Sequence, residues 1–146
     1  MYFCAVKDTS ASRIVGHSAA PHMSSGLAVT APNTVVARRQ INRKSVTGCV
    51  VHSDRGSQSR SCRYRQMLGR HGLKGSMGGV ASAGDNAAVE SFFPLLQHNV
   101  LSTGTWAGHE GLTIAVIAWI KHRYHRRGRQ RSLERVTPIE CETINN

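Results

Sequence analysis

The sequence predicts an α/β domain, and three neighbouring stretches carry that prediction. Gly48 to Val51 is short, apolar and rich in β-branched residues, which suits a buried strand, and the polar, Gly-containing run His52 to Ser57 follows it as a turn. Gln58 to His71 is a basic helix candidate that turns Tyr64, Met67 and Leu68 inward and is ended by Gly72. Leu73 to Met77 then reads as a second short strand. Asp54 and Glu90 have 35 residues between them, enough for one helix and one short strand to carry the chain out and back. The two carboxylates are therefore expected to share one site, with Asp54 at the carboxyl end of a strand, where ligands of open α/β sheets bind.

The flanking elements follow in order. Tyr2 to Val6 reads as a strand and Asp8 to Ser12 as a turn into a second strand, Arg13 to Ser18, giving a hairpin. Ser24 to Gln40 has helical content, with Leu27, Val35 and Val36 apolar and Arg38 and Arg39 at its end, where positive charge suits the helix dipole. Pro32 removes the bond to the Ala28 carbonyl at a cost of about 3 kcal/mol, so a kink or break is expected there. Gly78 to Gly84 is a loop that delivers Asp85, an N-cap for a helix whose Val89, Phe92 and Leu96 form one apolar stripe while Asn86, Glu90 and Gln97 lie on another face. Glu110 to Tyr124 is a further helix, apolar through most of its circumference and so expected to be buried. Beyond Tyr124 the chain is basic and then irregular.

At 146 residues the chain fits one domain. Hydrophobic residues make up 40% but aromatic residues only 5%, so the core is expected to rest on Val, Ile, Leu and Ala. Nineteen Lys and Arg against eight Asp and Glu leave a formal charge of +11, a surplus that favours an anionic partner. Nucleic acid comes first, because Arg123, Arg126, Arg127, Arg129 and Arg131 are dense enough to follow a phosphate backbone, with Tyr124 interleaved among them; membrane surface comes second. The most apolar run, Leu112 to Ile120, is far shorter than the roughly 20 residues that cross a bilayer, and the N-terminus does not read as a signal peptide. Cys4, Cys49, Cys62 and Cys141 are scattered without a CxxC pair, suggesting neither a disulfide framework nor a zinc site, and a reducing cytoplasm is the expected compartment. His122 and His125 have a spacing that reaches a single metal, yet in an Arg-rich stretch they read better as part of a basic face.

Several motifs together point further. HSDRGSQ from His52, and SMGGVASAGDNAAVESFF from Ser76, closely resemble the DDE transposases of bacterial insertion sequences, relatives of retroviral integrases. The resemblance extends to YFCAVKDTSASRIVGHS from Tyr2, TWAGHEGLTIAVIAWIKHRYHRR from Thr105 and LERVTPIECETI from Leu133, so it spans nearly the whole chain. It implies an RNase H-like fold, a mixed sheet flanked by helices, with an integrase-type catalytic core over 1–105 and the C-terminal helix and basic tail of the same domain over 106–146. In that family three acids hold two divalent ions, Mg²⁺ or Mn²⁺, and Asp54 matches the second acid and Glu90 the third. The first acid lies on a strand that would precede Tyr2, so the fold is expected to lack that strand. Asp8 matches a later position and reads as a turn acid.

The resemblance further implies DNA as partner, with Arg55, Lys74, Lys121, Arg123, Arg126, Arg127 and Arg129 as contacts, and either self-association or association with an intact transposase subunit. Metal-dependent cleavage of phosphodiesters and strand transfer is the implied chemistry, with this segment expected to be inactive alone. The alternative is a basic nucleic-acid-binding protein without catalysis that modulates an intact transposase. Three positions depart from the family pattern: Ser59 stands where Tyr is usual, and Pro32 and Pro94 where Ala is usual.

Overall fold

The structure, a computed structural model, describes residues 1–53, 57–77, 91–127 and 137–140. The chain forms two compact units, Met1–Val6 with Val15–Asp85, and Lys7–Ile14 with Asn86–Asn146. Strands β1 (Tyr2–Lys7) and β2 (Ile14–Ala20) pair as a two-stranded sheet. Their link, residues 8–13, is too short for the crossover that parallel strands need, and Asp8 N–H donates to the Arg13 carbonyl at 2.8 Å to close a hairpin. Asp8 is a turn former, as expected: its Oδ1 accepts from Ser10 N–H at 2.9 Å and from Ser10 Oγ at 2.7 Å. Ser12, at φ 54, completes the reversal.

Along β2 burial alternates, with Ile14, Gly16 and Ser18 on the buried face. That face meets helix α1 (Ser25–Ile41), and Ser18 Oγ donates to the Leu27 carbonyl at 2.7 Å. Of the kink or break expected at Pro32, the break is corrected, because α1 runs through that residue as one continuous helix. Leu27, Val29, Ala31, Pro32 and Val36 are all buried along it. Burial of three full aliphatic side chains at about 1.5–3 kcal/mol each outweighs the proline's cost of about 3 kcal/mol.

Strand β3 (Val50–Ser53), helix α2 (Cys62–Arg70) and strand β4 (Lys74–Met77) follow. The strand begins two residues later than the sequence suggests, because Gly48 at φ 83 belongs to the preceding turn. β3 and β4 pair in parallel, Val50 with Lys74 through Ser53 with Met77, and α2 is the crossover between them. Ser61 caps α2, accepting from Tyr64 N–H at 3.2 Å, and Gly72 at φ 65 ends it, so that Leu73 N–H reaches the Leu68 carbonyl at 2.9 Å. Tyr64, Met67 and Leu68 turn inward as expected and form a core with Val29, against which Ala28, Val51 and Leu73 pack. The two strand pairs are separate sheets among the described residues, so the α/β class holds while the expected single mixed sheet is not formed among them.

In the second unit, helix α3 (Phe92–Leu96) passes into a π-helical turn at Gln97–Leu101, closed by Ser102 N–H on the Gln97 carbonyl at 2.9 Å. Helix α4 (Gly108–Trp119) likewise passes into Ile120–Tyr124, closed by His125 N–H on the Ile120 carbonyl at 3.0 Å. One expectation is corrected here. α4 is apolar around its circumference but is not buried all round: Val116 is fully covered, whereas Ile114 is 68% exposed. Ile14, Leu96, Val100, Val116 and Ile120 supply the expected aliphatic part of this core, and aromatic rings pack beside them. Phe92 is packed edge-on to Tyr124 at 5.2 Å and to Phe93 at 5.4 Å, and Trp119 stands 6.0 Å from Phe92 and 5.6 Å from Tyr124. Phe92, Phe93, Trp119 and Tyr124, four of the chain's eight Phe, Tyr and Trp residues, meet in this cluster, where edge-to-face packing adds about 0.5–1.5 kcal/mol per pair to their burial.

Candidate active site and basic surface

The parallel pair fixes the direction in which the first unit presents its strand ends. β3 ends at Ser53 and β4 at Met77, and the segments leaving those carboxyl ends are 54–56 and 78–90. Asp54, Arg55 and Glu90 stand in them, and with Arg129 they lie outside the described residues. Gly75 of β4 sits so close to α2 that a Cβ there would meet Leu68 Cδ1 at 2.9 Å, and this close approach seats the crossover helix on the strand pair. His52, two residues before Asp54 on β3, has Nδ1 3.4 Å from Ser76 Oγ on β4; its Nε2 is buried and has no hydrogen-bond partner among the described residues. Among those residues there is also no group of three His, Cys, Asp or Glu side chains that could hold a metal.

The basic residues predicted as contacts are exposed wherever they are described. Lys74 is exposed at the start of β4. Lys121, Arg123, Arg126 and Arg127 are exposed on and after the second π-helical turn, while the two residues between them, Tyr124 and His125, are buried. Tyr124 Oη donates to the Ser12 carbonyl at 3.1 Å, and His125 Nε2 accepts from Ile14 N–H at 3.0 Å. This clasp holds the hairpin turn and aims the neighbouring cations outward.

Two sequence readings are corrected by it. Tyr124, 2% exposed, is not an aromatic platform among the arginines, because its ring belongs to the Phe92 cluster. His125 is not part of the exposed basic face, because it is buried with its Nε2 accepting from the Ile14 backbone N–H. Lys7 is drawn into the same region. Its Nζ lies 3.4 Å from Ser91 Oγ and 5.9 Å from the centre of the Tyr124 ring, and burial pushes its pKa below the ordinary lysine value. No signal in the sequence marked Lys7, since its role depends on a ring 117 positions away.

Comparison with known proteins agrees with the motifs. Over 145 residues, 99% of its length, the chain is 32% identical to "Transposase InsF for insertion sequence IS3A" of Escherichia coli (strain K12). This chain is a homologue of insertion-sequence transposases. It is also 31% identical over 143 residues, 97% of its length, to the "Putative transposase for insertion sequence element IS986/IS6110" of Mycobacterium tuberculosis. The chain spans about half the length of these curated relatives, 49% of the first and 51% of the second. No protein-family model matches it. No helix among the described residues is long and apolar enough to cross a membrane.

Proposed function

We propose that the chain is the catalytic-core segment of an insertion-sequence transposase, which cuts the ends of its element and joins them to target DNA. The observation that carries this reading is the similarity along 99% of the chain to transposases, with HSDRGSQ running off the carboxyl end of a parallel strand. Strand ends of this kind are where α/β sheets gather ligands. The strand pairs β2–β1 and β3–β4 are compatible with two parts of an RNase H-like sheet.

Asp54 and Glu90 are the residues assigned to hold the metal. Their donor set suits Mg²⁺ or Mn²⁺, since carboxylate oxygens are the hard ligands such ions take. When bound, paired divalent ions activate a water or a 3′-hydroxyl and stabilise the departing phosphodiester oxygen. The protein's share is to supply two negative charges, to seat the first through the β3–α2–β4 packing, and to neutralise DNA phosphates with Lys74, Lys121, Arg123, Arg126 and Arg127. Arg55 and Arg129 have the same assignment. Residues 1–146 carry matches to two of the family's three acids, so by themselves they are expected to be inactive.

The test is a strand-transfer assay on oligonucleotides carrying the ends of the insertion sequence, run on residues 1–146 and on a version extended before Met1 by the family's first strand and acid. Activity confined to the extended version and abolished by Asp54→Asn supports the reading. Activity of residues 1–146 alone overturns the need for a third acid. Inactivity of both, with duplex binding retained, favours the non-catalytic DNA-binding alternative.

A further inference from the structure

The excess positive charge is divided unequally. The first unit carries ten Lys and Arg against two Asp and Glu, which is +8 of the chain's +11, and both of those acids, Asp54 and Asp85, lie outside the described residues. On α2 this charge is ordered. Arg63, Gln66 and Arg70 occupy i, i+3 and i+7, one exposed stripe along the flank of the buried Tyr64, Met67 and Leu68 face; Arg65 is exposed on the other flank, and the exposed Arg60 stands just before the cap Ser61. Arg63 and Arg70 are seven residues apart, about 10.5 Å along a helix that rises 1.5 Å per residue. That spans about three phosphates of one duplex strand at 3.4 Å each.

The placement is costly to an isolated protein. The first turn of α2 holds no acid and instead takes Arg63, where the helix dipole favours negative charge. A Cβ on Gly26 would stand 3.7 Å from Arg63 Nη1, so the same guanidinium also approaches the first turn of α1, which likewise holds no acid and whose cap Ser24 makes no side-chain hydrogen bond. Solvated faces usually mix both signs of charge. Here the Arg63 guanidinium stands near the positive ends of two helices, an arrangement that a bound polyanion reverses from repulsive to attractive, while Arg70 in the last turn of α2 suits the dipole.

We propose that the exposed Arg60–Arg63–Arg70 stripe of α2 is a second nucleic-acid contact, which takes the phosphate backbone of duplex DNA without reading sequence and is distinct from the basic stretch after Lys121. The choice of DNA over another polyanion rests on the transposase reading; the charge geometry does not. Phosphate contacts set position rather than specificity, so the stripe acts on any duplex.

The experiment measures duplex affinity of the 146-residue chain against salt, for the natural protein, for Arg60→Gln/Arg63→Gln/Arg70→Gln and for Arg123→Gln/Arg126→Gln/Arg127→Gln. Each lost phosphate contact flattens the slope of log K against log salt by about 0.9, so the α2 triple variant should flatten it by about 2.7. Its affinity loss between about 50 and 200 mM salt should then be about 40-fold smaller than that of the natural chain. The second triple variant should flatten the slope independently. Circular dichroism should show the α2 variant as helical and about as heat-stable, since Arg63 leaves the first turn, where the dipole disfavours it, while Arg70 leaves the last turn, where it is favoured; Arg70→Gln alone, with about 0.9 off the slope, repeats the test with minimal disturbance. An unchanged slope in the α2 variants, no duplex binding by the natural chain, or arginine-dependent binding of polyglutamate but not of duplex would each overturn the proposal. A flattened slope alongside an inactive extended protein would leave it standing while the catalytic reading fell.

Discussion

Gly16→Ala tests whether the hairpin is locked onto α1 as the structure describes. An added Cβ would run into the Ala31 carbonyl oxygen, would lie 2.5 Å from Val35 Cγ2 and would lie 2.9 Å from Thr34 Oγ1. Rotation of Val35 relieves only one of these. The Ala31 carbonyl is backbone inside α1 and cannot turn aside, and swinging Thr34 Oγ1 away from the new Cβ would break its 2.7 Å hydrogen bond to that carbonyl. Overpacking costs about 1–3 kcal/mol and a lost hydrogen bond about 0.5–1.5 kcal/mol, giving an expected destabilisation of about 1.5–4.5 kcal/mol. Gly69→Ala is the matched control, because Gly69 lies in α2 and nothing stands within 4 Å of a Cβ there. It should gain about 0.5–1 kcal/mol from the reduced freedom of the unfolded chain. Urea denaturation of the two variants and the natural chain decides the matter through the midpoints, provided the slopes agree. A Gly16→Ala midpoint at or above that of the natural chain would refute the close approach of β2 to α1.

Two further outcomes concern the second unit. Tyr124→Phe keeps the ring in the aromatic cluster but removes the donor to the Ser12 carbonyl, and should cost about 0.5–1.5 kcal/mol in urea denaturation; an unchanged midpoint would show the clasp to be idle. Lys7→Met should be more stable than the natural chain near neutral pH, because the charged Lys7 is disfavoured by burial. The sign follows from linkage: with the folded pKa depressed, the unfolded chain binds more protons between the two pKa values, so the natural protein gains stability as pH rises through that window. The advantage of Lys7→Met should therefore shrink towards the ordinary lysine range, and an advantage that grows with pH would count against a desolvated Lys7.

The sequence by itself determined the elements and the order in which they occur. The hairpin from Tyr2, the helix that follows it, and the strand, helix and strand ending at Met77 are all written in local period and punctuation, with Gly72 marking the end of α2, whereas its start, read at Gln58, is set by the Ser61 cap. Candidate acids were legible in a different way. Two carboxylates 35 residues apart carry no physical message alone, and Asp54 and Glu90 stood out only because their flanking motifs resemble a family.

Tertiary structure decided what depends on distant partners. Pro32 is tolerated because the apolar side chains around it are buried, a compensation that helix propensity cannot register. α4 is equally apolar on every side, so its periodicity could not tell that Val116 would be covered and Ile114 left in solvent. Tyr124 and His125 read as members of a basic run, yet the backbone of Ser12 and Ile14 takes both of them inward. The charge total of +11 gave a partner class but not a surface; the inward turn of Tyr64, Met67 and Leu68 is what leaves Arg63 and Arg70 outside together. In each case composition and spacing set which groups were at hand, and packing against residues far along the chain chose which of them water, or a phosphate, can reach.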